Sequence, residues 1–485
     1  MINGKVSTLV FKGLSWSFAS RSIGNLAQLI VFFVLAKYLE PADFGIMALL
    51  AVFINICNIF VTAGLGNANM QIQNLGKNRY STIFYLGLAL SILFYSIIYV
   101  TAPYLSVWLA NDAELVSLLR IYGLTIFFTV INTMQISELS RNFEFEKIFY
   151  CSTLPSIVSG VVSVYLAYSG FGIYALIVNV ALSRLLSILF YSYYYSPFPR
   201  LKINFTIVKK STLYSSNLFF VNLLDEAYKS SILLLIGKFY NNTILGHYNL
   251  GRQIPGFVSA IINATVTSVF FPVFSGLQND LAKGKEMLRK SNRTLNFLIF
   301  PLLCLVILLA DEIVSIFLTD KWLPSVIYLK LFAIILGLHH VYNTSSTYIN
   351  ALGYSSVTLK YGIFNKFIGF VVLALTLNEG VEAIVYGQLF VVILSILFYA
   401  IPNRKYIKYS FKEQAVDFFP ILIVNIFLYV IFSEINFYFS DTVTNFFFEI
   451  FAFLLMYIVI VVVFRLRVVS DLINIFKRNT SVKLK

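Results

Sequence analysis

Long apolar stretches separated by short polar segments dominate this sequence. About fourteen of the stretches reach the roughly 20 residues that a helix needs to cross the hydrocarbon core of a bilayer. No polar segment between them exceeds roughly twenty residues, so the pattern predicts an all-α polytopic membrane protein without a soluble domain. The predicted spans are 14–35, 43–64, 82–103, 115–137, 151–169, 173–195, 213–237, 254–275, 295–318, 325–349, 358–378, 381–401, 416–436 and 444–464.

Composition supports the same class of protein. Hydrophobic residues make up 59% and charged residues 12% of the 485 residues, against roughly 45–50% and about 25% in a soluble globular chain. The net charge of +14 is dispersed over short loops, which favours membrane topology over nucleic-acid binding. The three cysteines lie in apolar runs and predict neither a metal site nor a disulfide framework; they are Cys57, Cys151 and Cys304.

Lysine and arginine concentrate on one side of the predicted topology. With the N-terminus in the cytoplasm, the inner loops contain most of the basic residues, including the basic hairpin 283–293 and the segment 404–412. The outer loops hold little beyond Lys37, Lys238 and Lys321. Because basic loops stay in the cytoplasm, both termini are predicted to be cytoplasmic.

The sequence contains no motif for catalysis or nucleotide binding. A Walker-type glycine loop, a His-rich metal cluster and a Gly-x-Ser-x-Gly nucleophile elbow are all missing from it. We therefore expect a transporter, not an enzyme, that uses no cofactor and is driven by an ion gradient or by the gradient of its own substrate.

A short pattern recurs at the ends of predicted spans one and seven. The segment 36–45, which runs from Ala-Lys-Tyr to a glycine, matches 237–246, which runs from Gly-Lys-Phe to a glycine. Six spans separate the two copies, so both have the same orientation. The pattern predicts two parallel six-helix lobes with the substrate path between them, followed by two helices and a basic cytoplasmic tail. The predicted segments are 1–210, 211–412 and 413–485.

Polar and charged side chains inside the spans mark candidate substrate-binding positions. A charge at the centre of a spanning helix costs about 2.5–3.5 kcal/mol, so it usually faces an interior cavity. Alternatives are that Arg21 reaches the lipid headgroups, that Lys229 pairs with Asp225, and that Lys366 lies near the cytoplasmic end of its span. An excess of cations over acids predicts an anionic cargo. The candidates are Arg21, Asn25, Gln28, Arg184, Lys229 and Lys366.

Four titratable residues are candidates for coupling transport to an ion. Asp225 and Glu226 are interpreted as the only deeply placed acids, and either carboxylate suits a proton or sodium ion. His339 and His340 lie in a polar part of span ten, and histidine titrates near neutral pH. The alternative for the two histidines is a hydrogen-bonded packing feature.

Several segments, in the same order along the chain, resemble Wzx-type polysaccharide flippases of the MOP superfamily. The resemblance extends over roughly residues 8–430, and the last two spans match in type alone. The matching segments are 35–45 (LAKYLEPADFG), 64–71 (GLGNANMQ), 139–145 (LSRNFEF), 170–176 (GFGIYAL), 271–275 (FPVFS) and 320–324 (DKWLP).

The resemblance implies a flippase in the bacterial cytoplasmic (inner) membrane. Such a protein moves undecaprenyl-diphosphate-linked oligosaccharide repeat units from the inner to the outer leaflet, for O-antigen, capsule or exopolysaccharide assembly. It implies alternating access around a cation-lined cavity, coupling to an ion gradient, and a trailing helix pair that guides the lipid tail. The implied partners are the lipid-linked glycan, membrane lipid and other polysaccharide assembly proteins, with no nucleic acid.

Two other functions stay open at this point. One is export of drugs or metabolites, as in the related MATE-like branch, and the other is a membrane-embedded polysaccharide polymerase. This sequence also departs from the resembled pattern in span seven. Where an acid is expected just before the Leu-Ile-Gly stretch, the chain has Ser231 and Ile232, and its acids lie a turn or more earlier.

Overall fold

A computed structural model of the chain consists of long helices. It describes residues 23–62, 77–109, 113–142, 144–195, 205–266, 270–436 and 443–471, and within these ranges it contains helices and turns but no strand. The predicted all-α class is confirmed. Two compact units divide the chain, Met1–Asn249 and Leu250–Lys485. The lobes predicted at 1–210, 211–412 and 413–485 stay predictions.

Nine helices begin in the described part of the first unit. Most of them are separated by short turns. They are α1 (Ile23–Tyr38), α2 (Pro41–Thr62), α3 (Lys77–Leu109), α4 (Ala113–Gly123), α5 (Thr125–Arg141), α6 (Phe145–Tyr168), α7 (Tyr174–Ser192), α8 (Phe205–Phe239) and α9 (Asn242–Thr265).

The described part of the second unit continues with further long helices and a few short ones. A 3₁₀ turn (Asp320–Ser325) precedes α13, a π-helical turn (Asn403–Ile407) follows α15, and a short helix occupies 467–471. The α-helices are α10 (Phe271–Gly276), α11 (Leu281–Leu308), α12 (Ala310–Phe317), α13 (Val326–Ala351), α14 (Ser355–Thr376), α15 (Val381–Pro402), α16 (Phe411–Asn436) and α17 (Val443–Val463).

Every predicted span overlaps a helix. Within the described residues, eleven helical segments are long and apolar enough to cross a membrane, and α1 is a shorter apolar helix. Helices α8 and α9, which are not among the eleven, overlap predicted spans seven and eight, α9 by about half of its length. The polytopic membrane class is therefore confirmed, while the count of fourteen spans stays a prediction.

The last two long helices pack against α11. Cys304 and Leu308 of α11, Phe432 of α16, and Phe453 and Tyr457 of α17 belong to one buried apolar cluster. The Tyr457 hydroxyl also donates a hydrogen bond to the carbonyl of Phe297 on α11 (2.9 Å). The trailing pair is thus an integral part of the second unit.

The basic hairpin predicted at 283–293 is helical in the structure. It forms the first turns of α11, which begins at Leu281, well before the predicted span. The apolar run marks only the part of a helix that lies in hydrocarbon, and lysine and arginine are good helix formers. Asp280 caps this helix by accepting the backbone N–H of Lys283 (3.1 Å). The Lys283 ammonium, 2.8 Å from the carboxylate, holds the pKa of Asp280 below its usual value.

The fourth predicted span is divided into α4 and α5. The helix is interrupted at Leu124, directly after Gly123, whose type has low helix propensity. A Cβ at Gly123 would lie 3.2 Å from the ring of Tyr95 on α3, so the small residue lets α3 and α4 pack closely. The apolar pattern of 115–137 gave no sign of this break, because it continues through Leu124.

Candidate functional site

The recurring pattern at the ends of predicted spans one and seven corresponds to one local structure. The amide of Leu39 donates to the carbonyl of Leu35 (2.9 Å), and the amide of Tyr240 donates to the carbonyl of Ile236 (3.0 Å) at the equivalent place. Helices α2 and α9 then begin at equivalent positions, two residues further on. This part of the chain therefore supports the predicted internal repeat.

Different side chains cap the two equivalent helix starts. At α2 the carboxylate of Asp43 reaches back and accepts the backbone N–H of Glu40 (3.0 Å). At α9 the side-chain oxygen of Asn241 reaches forward and accepts the backbone N–H of Ile244 (2.7 Å). These are the two hydrogen bonds of a capping box, one in each copy.

Gly45 of α2 and Gly246 of α9 are equivalent in the repeat and lie against each other's helix start. A Cβ at Gly45 would overlap the carbonyl oxygen of Asn242, and a Cβ at Gly246 would overlap the carbonyl oxygen of Pro41. The two helices therefore meet backbone to backbone, through a contact that only residues without a side chain permit.

The polar face predicted for the first span is partly described. Arg21 lies outside the described residues. On α1, Asn25 is half-buried and Gln28 is exposed. Whether these two side chains line a substrate path stays a prediction.

Arg184 connects α7 to α5. Its guanidinium donates to the carbonyl of Thr125 (3.1 Å) and to the hydroxyl of Thr129, and the backbone carbonyl of Arg184 accepts from the Asn132 side chain (3.1 Å). The side chain is half-buried, and the Thr125 carbonyl is that of the first residue after the break at Leu124. Arg184 thus has an interhelical role in addition to any role in binding cargo.

Helix α8 carries charged residues beside a buried apolar stripe. Tyr228, Ile232 and Ile236 are buried. Asp225 and Glu226 are half-buried, and the side chain of Lys229 is exposed. Lys229 lies ten residues before the end of α8 at Phe239, a distance of about 15 Å along the helix axis, which is half the thickness of a hydrocarbon core.

Lys366 lies at the middle of α14. It is eleven residues from the start of the helix at Ser355, about 16 Å along the axis, and its side chain is half-buried. Its position near the cytoplasmic end of the span stays a prediction. The neighbouring Asn365 is buried and accepts the hydroxyl of Ser395 on α15 (2.9 Å).

The two adjacent histidines of α13 have different surroundings. His340 is 2% exposed, and its Nε2 lies 3.2 Å from the Ser259 hydroxyl of α9. His339 is half-buried and packs its ring against Tyr342, with centroids 4.9 Å apart, and Tyr342 stacks on Tyr399 of α15. One histidine therefore belongs to a buried polar pair and the other to an aromatic cluster.

Asp225 and Glu226 are not the only deeply placed acids. Asp417 of α16 and Glu449 of α17 are 2% and 4% exposed, and both fall within predicted spans. Asp417 accepts hydrogen bonds from Arg289 and Arg293 of α11, 2.7 and 2.8 Å away. Both acids could have been found in the sequence, since each interrupts an apolar run. When they are counted, the predicted excess of cations over acids within the spans is smaller.

The Asp417 cluster extends to the end of the described chain. Arg293 also donates to Asp471 in the short helix at 467–471 (2.8 Å). Glu413 accepts from Lys285 (2.8 Å) and Arg289 (2.9 Å), and the Tyr409 hydroxyl donates to Asp417 (2.9 Å). Because its three cations face three acids, we interpret this cluster as a connection between α11 and the trailing helices.

An apolar cavity of about 380 Å³ lies between α11, α13 and α16. Apart from Asn425, Tyr429 and the Cys304 thiol, every side chain that lines it is a hydrocarbon or a glycine. The lining residues are Phe300, Leu303, Cys304, Ile307, Ala333, Ile334, Gly337, Leu338, Leu422, Asn425, Ile426 and Tyr429.

A family model described as polysaccharide biosynthesis protein matches residues 34–327, which is more than half of the chain. The chain belongs to the polysaccharide biosynthesis protein family. Among its relatives, the teichuronic acid biosynthesis protein TuaB of Bacillus subtilis (strain 168) is 24% identical over 371 residues, 74% of this chain and 76% of TuaB. The lipopolysaccharide biosynthesis protein WzxC of Escherichia coli (strain K12) is 22% identical over 363 residues, 73% of each chain. The predicted resemblance is confirmed.

Solved structures show the fold of this family member. The lipid II flippase MurJ, in an inward closed conformation, superposes with a TM-score of 0.73 at 16% identity, covering 96% of this chain and 100% of MurJ. An inward-facing MATE multidrug resistance transporter of the MOP superfamily gives 0.62 at 14% identity, covering 80% and 96%. The predicted MOP-like fold is confirmed.

The match to the polysaccharide biosynthesis protein family ends before several of the candidate residues. His339, His340 and Lys366 lie beyond residue 327, as do Asp417 and Glu449. Arg184, Asp225, Glu226 and Lys229 lie inside the matched part.

Proposed function

We propose that this protein is a flippase that moves undecaprenyl-diphosphate-linked oligosaccharide units from the inner to the outer leaflet of the bacterial cytoplasmic membrane. The observation that carries the proposal is the exposed Lys229 of α8, which falls within predicted span seven, about 15 Å before the end of the helix, and follows half-buried Asp225 by one turn. An ammonium group exposed to hydrocarbon at that depth would cost about 2.5–3.5 kcal/mol. The position is therefore better explained as the wall of a water-filled path, in which Lys229 attracts a diphosphate.

The apolar cavity between α11, α13 and α16 supports a cargo with a lipid tail. Its volume of about 380 Å³ is that of a small-molecule site, and its lining suits a branched hydrocarbon chain. A soluble drug or metabolite exporter would need the polar path alone. A charged wall together with a separate apolar cavity favours an amphiphilic cargo.

The experiment compares Lys229→Gln with Lys238→Gln in proteoliposomes loaded with a diphosphate-linked oligosaccharide lipid. Lys238 lies on the last turn of the same helix, against the carbonyl and ring of Trp108 on α3. We expect Lys229→Gln to slow the appearance of the glycan on the far side about tenfold, which corresponds to ~1.4 kcal/mol. Lys238→Gln should transport at the rate of the unmodified protein.

Two other outcomes would point to the competing functions. Equal rates for Lys229→Gln and the unmodified protein would contradict a role for Lys229. Longer glycan chains in the vesicles would indicate a polymerase, and movement of soluble cations without lipid would indicate an exporter of the MATE type. A deletion strain gives an independent measure, since a missing flippase leaves repeat units on the inner leaflet.

We propose two sites on the protein that couple transport to an ion gradient. Asp225 and Glu226 are half-buried acids within one turn of Lys229 on α8, and His340 forms a buried pair with Ser259. A proton or sodium gradient is imposed across the proteoliposomes, and the rate of glycan movement is measured. A rate that responds to the gradient indicates ion coupling, whereas an unchanged rate indicates facilitated movement. A gradient response that survives Asp225→Asn, Glu226→Gln and His340→Gln would exclude all three residues.

The topology is part of the same proposal. The basic segments place both termini in the cytoplasm, and flipping would then proceed toward the periplasmic ends of α2 and α9. Reporter enzymes fused after residue 471 and within the 320–324 turn should be active on opposite sides of the membrane. Activity on the same side would contradict the orientation without affecting the transport assay.

A further inference from the structure

The contact of Gly45 with Gly246 is reciprocal. Gly45 meets the residue that begins α9, Asn242, and Gly246 meets the residue that begins α2, Pro41. The four residues are two equivalent pairs of the internal repeat, so the contact is unchanged when the two copies are exchanged. A contact of this kind surrounds a local two-fold axis, as in the isologous interface of a dimer.

Apolar side chains seal the surroundings of this contact. On α2, Phe44, Ala48 and Leu49 are at most 5% exposed, and Leu245 of α9 is fully buried. A Cβ at Gly237, near the end of α8, would lie 2.8 Å from the side chain of Leu49. Three glycines therefore bring α8 and α9 directly onto α2, with no room for water between them.

The contact is suited to being broken and re-formed. At the two glycines it brings Cα–H groups against carbonyl oxygens, and such contacts are individually weak. Both helices also direct their N-termini, each with a partial positive charge, into the same region. Separating α2 from α9 at the glycines thus breaks weak backbone contacts and relieves a like-charge interaction.

We propose that Gly45 and Gly246 form a seam that closes the outer end of the transport path and opens when cargo leaves. This inference rests on the proposed transport function and deepens it, because it names the residues whose close approach defines the closed state. The two glycines are positioning residues, since they act by letting Pro41 and Asn242 approach and not by binding cargo. A methyl group at either position would hold the seam apart.

The first test measures access to the seam directly. A cysteine is introduced at the buried position Ala48, and intact cells are treated with a membrane-impermeant maleimide. We expect Gly45→Ala and Gly246→Ala each to increase labelling at residue 48 several-fold and to slow transport. Gly256→Ala is the matched control, because Gly256 also lies in α9 and no described atom is within 4 Å of its added Cβ.

The native cysteines distinguish opening from unfolding. Cys57, Cys151 and Cys304 are buried, so they should stay unlabelled if the substitutions open only the seam. Labelling at residue 48 that is equal in Gly45→Ala, Gly256→Ala and the parent would overturn the proposal. Labelling of Cys304 together with residue 48 would also count against it, since it would show loss of structure and not local opening.

A second test leaves both glycines in place. Cysteines at the exposed cap positions Glu40 and Asn241 are joined by a short cleavable cross-linker in the folded protein. Transport should fall at least tenfold on cross-linking and return when the linker is cleaved; transport that continues in the linked protein would overturn the seam. If the unmodified protein moves no lipid-linked glycan at all, the proposed function fails, while the labelling experiment still decides whether the seam opens.

Discussion

Arg289 and Asp417 form a bidentate ion pair that joins two helices distant in the sequence. The Arg289 Nε lies 2.7 Å from one carboxylate oxygen and a terminal guanidinium nitrogen lies 3.2 Å from the other. The Asp417 side chain is 1% exposed and that of Arg289 is 18% exposed. With Arg293 bound to the same carboxylate, the pair fixes the start of α16 against the start of α11.

Removing the charge of Asp417 should destabilise the protein strongly. Asp417→Asn leaves the guanidiniums of Arg289 and Arg293 without their shared buried acid, and breaking a buried pair from one side costs about 3–5 kcal/mol. Unfolding in mixed detergent micelles, followed by circular dichroism, measures the loss.

The control for Asp417 is the exposed pair at the start of the same helix. In Asp280→Asn the asparagine still caps α11, so only the ion pair with Lys283 is lost, and that lysine is 74% exposed. We expect no measurable change in the unfolding transition, because exposed pairs contribute little. An Asp417→Asn protein as stable as Asp280→Asn would show that the cluster does not hold α16 in place.

Arg184→Ala should reduce stability by about 1–2 kcal/mol, because the guanidinium that joins α7 to Thr125 and Thr129 of α5 is lost. Thr129→Val removes one of the two acceptors and should have a smaller effect of the same sign. Thermal unfolding in detergent gives both values. Unchanged stability combined with slower glycan transport would instead assign Arg184 to cargo binding.

Filling the apolar cavity should slow transport without unfolding the protein. Ile426 lines the cavity and Phe427 does not, although their side chains are 55% and 54% exposed on the same helix. We expect Ile426→Trp to reduce the rate of glycan movement several-fold and Phe427→Trp to leave it unchanged. A soluble glycan diphosphate without a lipid tail should be insensitive to both, and equal effects of the two substitutions would contradict a role for the cavity.

The hydrogen bond between Asn365 and Ser395 should have a small coupling energy. A double-mutant cycle of Asn365→Ala and Ser395→Ala measures it, and bonds between helices in membranes average about 0.6 kcal/mol, with a maximum near ~1.7 kcal/mol. Because Lys366 follows Asn365, loss of transport in Ser395→Ala at normal stability would show that this bond orients the lysine. A coupling energy near zero would mean that the two side chains find other partners.

The sequence predicted the helical class, and a helix overlaps each predicted span, because an apolar run of membrane length is too hydrophobic to face water and must form a helix in lipid. It did not predict where helices begin outside the membrane. Residues 283–293 look like a loop in a hydropathy pattern, yet they are helical: the segment contains Gly284 but no proline, and most of its residues are good helix formers. The break at Leu124 was missed because the residues on both sides of it are apolar, so the hydropathy pattern continues through a position where the helix is interrupted.

The candidate site was harder to predict than the fold. Lys229 and its neighbouring acids were found because charges within an apolar run are conspicuous, but the interhelical bonds of Arg184 depend on a helix 59 residues away. Asp417 was overlooked because the hydropathy pattern places its partners, Arg289 and Arg293, in a loop. The equivalence of Gly45 and Gly246 was visible in the sequence, whereas their contact required the structure.

The hydrogen bond between Arg293 and Asp471 spans 178 residues of chain, and this sets an order of events during synthesis. At about 5–20 residues per second, roughly 9–36 s pass between the translation of the arginine and that of its acid. During that time Arg293 can pair with Asp417, which follows it by 124 residues, but not with Asp471. A ribosome stalled before residue 471 should therefore hold an intermediate in which the start of α11 is joined to α16 but not to the helix at 467–471.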